Sequence, residues 1–161
     1  MCLAQGTAVT ELARDGLAKV CLVGPVEESR ATARKADVSL NAVELLDSGS
    51  HVLASDDLYG GTFRLFERVR RRSAGLDFSF VNLNDLDALE AVVKPNTRMI
   101  WCETPTNPLL KIVDIAAVAR LAKAKGAIVV VDNTFATPVL QNPLTLGADS
   151  GVPLLSPPDK E

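Results

Sequence analysis

From Asn41 onward the apolar residues fall into short runs separated by polar turns. Val43, Leu45 and Leu46 read as the last turn of a helix, stopped by Asp47-Ser48-Gly49-Ser50. His51-Val52-Leu53-Ala54 predicts a strand that runs into Ser55-Asp56-Asp57. Next, the glycine-rich bend Tyr59-Gly60-Gly61-Thr62 leads into a helix. Its Phe63, Phe66 and Val69 recur every third residue and so share a face, with Arg64, Arg68, Arg71 and Arg72 largely opposite. The unit then repeats. Phe78 to Val81 predicts a strand, Asn84 or Asp85 caps a helix through Val93, and Arg98 to Cys102 predicts the next strand. Asp114 caps a helix over Ile115 to Lys125, with Ile115, Val118, Ala119 and Ala122 on one stripe and Gly126 at its end.

Ala127 to Val131, followed by Asp132, is the strongest strand signal. Branched residues without alternation predict burial on both faces, as in a parallel sheet covered by helices on each side. Strands alternating with helices predict right-handed crossovers, hence an α/β fold with a partial doubly wound, mostly parallel sheet. Three segments follow: residues 1–40, little patterned apart from a short strand around Val20 to Val23; residues 41–149, the regular α/β part; and residues 150–161, an irregular tail with three prolines.

Composition narrows the function without choosing it. The 161 residues fit one domain, and 17 basic against 20 acidic side chains give a net charge of −3, which argues against a nucleic-acid coat. The five arginines between Arg64 and Arg72 therefore read as a solvated helix face. No apolar run approaches the roughly 20 residues of a membrane span, and no secretory leader is evident. Three scattered cysteines and a single histidine, His51, suit a reducing cytoplasm and supply no metal site.

In an open parallel sheet, ligands bind beyond the carboxyl ends of the strands. Three polar segments converge there: Asp56 to Thr62, Glu103 to Pro108, and Asp132 to Thr134. Tyr59, the one tyrosine, suits either a ligand face or a gap between loop and helix. Asp132 follows five apolar residues, so its carboxylate is drawn toward low dielectric, where it needs a cationic partner; capping the next turn is the plainer role. Glu103 and Asn107 suit a ligand or the proline turns. No G-x-G-x-x-G and no P-loop is present, which disfavours a dinucleotide site and ATP hydrolysis.

At these residues the chain resembles the pyridoxal-phosphate-dependent enzymes of Cys/Met metabolism, the family of cystathionine gamma-lyase and cystathionine gamma-synthase. The resemblance runs from about Glu44 to Asp149. It rests on Ser55-Asp56-Asp57-Leu58-Tyr59-Gly60-Gly61-Thr62, Glu103-Thr104-Pro105-Thr106-Asn107-Pro108, and Val130-Val131-Asp132-Asn133-Thr134-Phe135-Ala136-Thr137-Pro138. It implies part of the large domain of a fold type I transferase with pyridoxal phosphate as cofactor. Tyr59 would stack on its ring, Asp132 would pair with the pyridinium nitrogen, Asn107 would lie near the phenolic oxygen, Thr134 would sit beside Asp132, and Glu103 would open the second motif. It further implies γ-elimination or γ-replacement on sulfur amino acids or homoserine esters, and a homo-oligomer, a tetramer.

The same register shows departures. The family's Schiff-base lysine, in a Ser-x-Thr-Lys context that also binds phosphate, falls at Pro157, and Lys160 stands three positions late. The phosphate-binding turn falls near Arg34-Lys35-Ala36, where its residues do not occur. The expectation is a truncated relative without the catalytic lysine, holding the cofactor weakly and inactive as it stands. The alternative is a non-catalytic fragment that binds full-length homologous subunits.

Overall fold

The computed structural model describes residues 9–12, 18–21 and 42–152. The branched run before Asp132 is strand β6 (Ile128–Asp132) of a seven-stranded sheet. The other strands are β1 (Val9–Leu12), β2 (Ala18–Cys21), β3 (His51–Ser55), β4 (Asp77–Val81), β5 (Thr97–Glu103) and β7 (Ser150–Val152). Their order across the sheet is β1-β2-β7-β6-β5-β3-β4. All neighbouring pairs run parallel except β1 with β2, an antiparallel pair. From β3 the chain steps outward to β4, returns across to β5, and proceeds through β6 to β7. The reversal lies between β3 and β5, which makes their carboxyl ends a topological switch point.

Both faces of the sheet are packed, as the unalternating strands predict. On one, Leu53, Ile100, Cys102, Val129 and Val131 meet the α4 helix (Ile115–Ala124) through Ile115, Val118, Ala119 and Ala122. On the other, Val52, Ala54, Met99, Trp101 and Val130 lie beneath Phe66. Asp114 caps α4 by accepting from the Ala117 amide, and Asp85 caps α3 (Leu86–Ala91) by accepting from Ala88. Among the described residues no helix is long and apolar enough to cross a membrane.

The helix end expected before Asp47 is present: Ala42 and Val43 are helical and residues 44–45 turn out of the helix, with the Leu45 and Leu46 amides donating to the Ala42 and Val43 carbonyls. Other expectations need correction. α3 ends at Ala91, short of Val93. The arginine-bearing helix is α1 (Gly60–Arg64), a π-helical stretch (Leu65–Arg70) and α2 (Arg71–Ser73). The π turn advances more residues per revolution than a period of three assumes. Phe66 is therefore buried while Phe63 and Val69 stay 40% and 45% exposed. The segment after Asp149 is not irregular from its start, because Ser150–Val152 is a strand hydrogen-bonded alongside β6. Backbone pairing holds it where the side chains give no pattern. In residues 1–40, β2 covers part of the expected strand and β1 is an addition. Arg34 to Ala36, Pro157 and Lys160 lie outside the described residues.

At the amino end of the sheet, His51 is fully buried and ties three strands together. Its Nδ1 is 2.8 Å from Thr97 Oγ1 on β5, and its Nε2 is 3.0 Å from Ser79 Oγ on β4. The Thr97 hydroxyl oxygen also accepts from the Lys94 amide, which suits a neutral ring accepting at Nδ1 and donating at Nε2. Burial first, then Lys94, hold His51 below its ordinary 6.5, against an upward pull from Asp77. A depressed imidazole contributes stability that is fully present above 6.5 and declines as pH falls below it, because the unfolded chain then binds the proton first. The urea midpoint should therefore drop between pH 7.5 and pH 5.5, and His51→Gln should flatten that slope. Equal slopes in both proteins would refute the assignment.

Candidate active site

The end of β3 and the loop after it carry Asp56, Asp57 and Tyr59. Tyr59 is half-buried, and its amide donates to both oxygens of Glu103, each at 3.1 Å. Glu103, the last residue of β5, is itself buried, and its amide donates to Ser55 Oγ at 3.1 Å. The carboxyl ends of β3 and β5 are thus sewn together across the switch point.

Parallel register sets Glu103 directly opposite Asp132, the last residue of β6. Both carboxylates are buried, at 2% and 1% exposure, on the face that also carries Trp101 and Val130. Thr134 fixes the Asp132 rotamer, its amide and hydroxyl both donating to Oδ1 at 3.1 and 2.5 Å. Cys102 stands one step before the Glu103–Asp132 pair in the β5–β6 register, and burial, then Asp132 and Glu103, push its thiol far above the ordinary range. A thiol so held is an inert packing group rather than a nucleophile.

Asn107, also half-buried, lies on the loop between β5 and α4. That loop is positioned by its neighbours. Thr106 Oγ1 donates to Asp57 Oδ2 at 2.5 Å, the Leu109 amide donates to the same oxygen at 2.9 Å, and Val113 donates to Thr104 Oγ1 at 3.0 Å. At the rim, Lys111 Nζ pairs with both Asp56 oxygens at 3.0 Å.

Tyr59, Glu103, Asp132 and Thr134 are therefore linked by direct contact or strand register, and Asn107 joins them through Thr106 and Asp57. Ser55, Asp57, Thr104 and Thr106 do the holding, and the sequence reading gave none of them a role. Their signal was burial of polar groups at strand ends, which residue type alone does not disclose.

This donor set fits the ring of pyridoxal phosphate. A buried carboxylate with an acidic neighbour favours a cationic ring nitrogen, and Tyr59 offers an aromatic face. Space for the Tyr59 side chain depends on Gly61, where a Cβ would stand 2.4 Å from Tyr59 Cε1. The expected phosphate contacts fall outside the described residues.

A family model described as Cys/Met metabolism PLP-dependent enzyme matches residues 23–153. A cystathionine beta-lyase of Coxiella burnetii is 56% identical over 107 residues, covering 66% of this chain and 28% of that protein. A probable cystathionine gamma-synthase of Herpetosiphon aurantiacus is 48% identical over 133 residues, covering 81% of this chain and 41% of that protein. The crystal structure of cystathionine gamma-lyase from Lactobacillus plantarum complexed with L-serine superposes with a TM-score of 0.66 at 46% identity, over 69% of this chain and 29% of that one. The chain thus spans well under half the length of these relatives.

Proposed function

Because the chain belongs to the Cys/Met metabolism PLP-dependent enzyme family, we propose that the loops after β3, β5 and β6 hold the ring of pyridoxal phosphate. The parent activity of this reading is γ-elimination or γ-replacement on sulfur amino acids or homoserine esters. The relatives' names divide between beta-lyase, gamma-lyase and gamma-synthase, and all three share the sulfur-bearing amino acid cystathionine. The observation that carries the reading is the Tyr59 amide on the Glu103 carboxylate, with Asp132 directly opposite.

Each residue has a task in it. Tyr59 lays its ring against the cofactor face, and Glu103 fixes the Tyr59 backbone. Asp132, its rotamer set by Thr134, holds a proton at the ring nitrogen. Asn107 orients the phenolic oxygen with its amide. When bound, pyridoxal phosphate supplies an electron-withdrawing ring that acidifies the substrate's α-carbon.

The chain as it stands binds the ring without turning substrate over, because proline occupies position 157, where the register calls for a primary amine. Titration with pyridoxal phosphate should give a saturable absorbance change. Borohydride reduction and peptide mapping should then find no single lysine labelled stoichiometrically. Absence of a saturable change overturns the cofactor reading. One fully labelled lysine together with release of product from cystathionine overturns the inactivity.

A second reading, pairing with an intact homologous subunit, is favoured by the apolar rim of the site. Leu109, Leu110 and Ile112 are 60–67% exposed, and Val139 and Leu140 are 88% and 81% exposed. Co-expression with an intact homologue and a mass measurement by light scattering separates this reading from a chain that remains alone.

A further inference from the structure

We propose that Asp57 is a positioning residue: its buried carboxylate clasps the Asn107 loop and so sets the gap between Asn107 and Tyr59 in which the cofactor ring is received. The inference rests on the cofactor reading above for its purpose, and on the clasp's own hydrogen bonds for its existence.

Two carboxylates brace the switch point in opposite directions. Glu103, from β5, grips the Tyr59 amide on the β3 side. Asp57, from the β3 side, grips the loop after β5 at two points, Thr106 Oγ1 and the Leu109 amide, both on Oδ2. Asn107 is enclosed between those two points. The loop is also closed on itself, since the Lys111 amide donates to Thr106 Oγ1 at 2.8 Å and the Thr106 amide to the Lys111 carbonyl at 3.0 Å. It is therefore a preformed turn hung on one carboxylate oxygen.

Neither apolar core includes Asp57, and the sheet is complete without it. What the carboxylate holds is only the loop that frames Asn107. The neighbouring pair of Asp56 with Lys111 stands at the rim with side chains 39% and 28% exposed, where solvent screening leaves it little weight. Charge-assisted hydrogen bonds to a buried carboxylate are the stronger constraint. An amide in place of Asp57 keeps the shape and loses the charge on the oxygen that receives both donors.

The test uses the full chain, with and without pyridoxal phosphate. Amide hydrogen exchange without cofactor reads the clasp itself, and the induced visible circular dichroism of bound pyridoxal phosphate reads the ring's setting. Asp57→Asn should speed exchange of the Leu109 amide about 10-fold, raise the dissociation constant about 10-fold and diminish the induced band, with the Tyr59 amide unchanged. Thr106→Val should act in the same direction, and Thr106→Ser, which keeps the hydroxyl, should restore wild-type values. If Asp57→Asn fails to fold, the Thr106 pair carries the same comparison. A wild-type band that persists unaltered in Asp57→Asn, or in Thr106→Val, overturns the proposal. A wild-type protein that protects the Leu109 amide yet shows no band at any pyridoxal phosphate concentration overturns the cofactor reading instead.

Discussion

Asp132→Asn is expected to weaken pyridoxal phosphate binding by about 100- to 1,000-fold while leaving the fold in place. Asparagine removes the charge and keeps the oxygen that accepts from the Thr134 amide and hydroxyl at the buried end of β6. A cationic ring nitrogen placed against position 132 loses its counter-ion, and breaking one half of a buried ion pair costs about 3–5 kcal/mol. An absorbance titration reads the affinity, and far-ultraviolet circular dichroism checks that the variant is folded. Unchanged affinity in the folded variant would remove Asp132 from the cofactor site.

The burial of Asp132 also explains why so much of the candidate site was legible in the sequence. A carboxylate closing a run of branched residues conflicts with its surroundings, and such conflicts mark functional positions. Asp132 was visible for that reason, as was the convergence of Tyr59, Glu103 and Asp132 at strand ends once a parallel sheet was inferred. The caps Asp85 and Asp114 were visible because their chemistry is local.

Long-range contacts were not visible. Asp56 and Asp57 are adjacent and identical, yet the first is exposed and paired with Lys111 while the second is buried on Thr106 and Leu109. Only the approach of a loop some fifty residues away distinguishes them. The π turn at Leu65–Arg70 was hidden because its hydrogen bonds belong to the backbone and leave the apolar spacing looking α-helical. Strand β7 was hidden for the converse reason: a short strand of serine, glycine and valine has no pattern, and its order comes from the ladder offered by β6.

The largest loss of stability is expected at Trp101, and the choice of replacement decides which of two opposing effects is seen. Trp101 is fully buried, in register with Ala54 on β3 and Val130 on β6, and Phe66 meets it edge-on at 5.3 Å. Truncation to alanine removes the side chain at the centre of that face and should cost about 3–5 kcal/mol, a large share of the roughly 5–15 kcal/mol that holds a domain of this size folded. Its indole Nε1, however, is buried without a hydrogen-bond partner among the described residues, which is itself a cost of about 1–3 kcal/mol. Phenylalanine keeps most of the packing and discards the unsatisfied donor, so Trp101→Phe should lie within about 1 kcal/mol of wild type. Urea unfolding followed by far-ultraviolet circular dichroism measures both, since the only tryptophan is gone from each variant. Position 101 is two residues before Glu103 on the same face of β5, so the alanine variant should weaken pyridoxal phosphate binding along with its stability, and the phenylalanine variant should keep both. A phenylalanine variant as unstable as the alanine one would mean that the indole nitrogen is satisfied in solution and that the shape of the whole ring system is what the core requires.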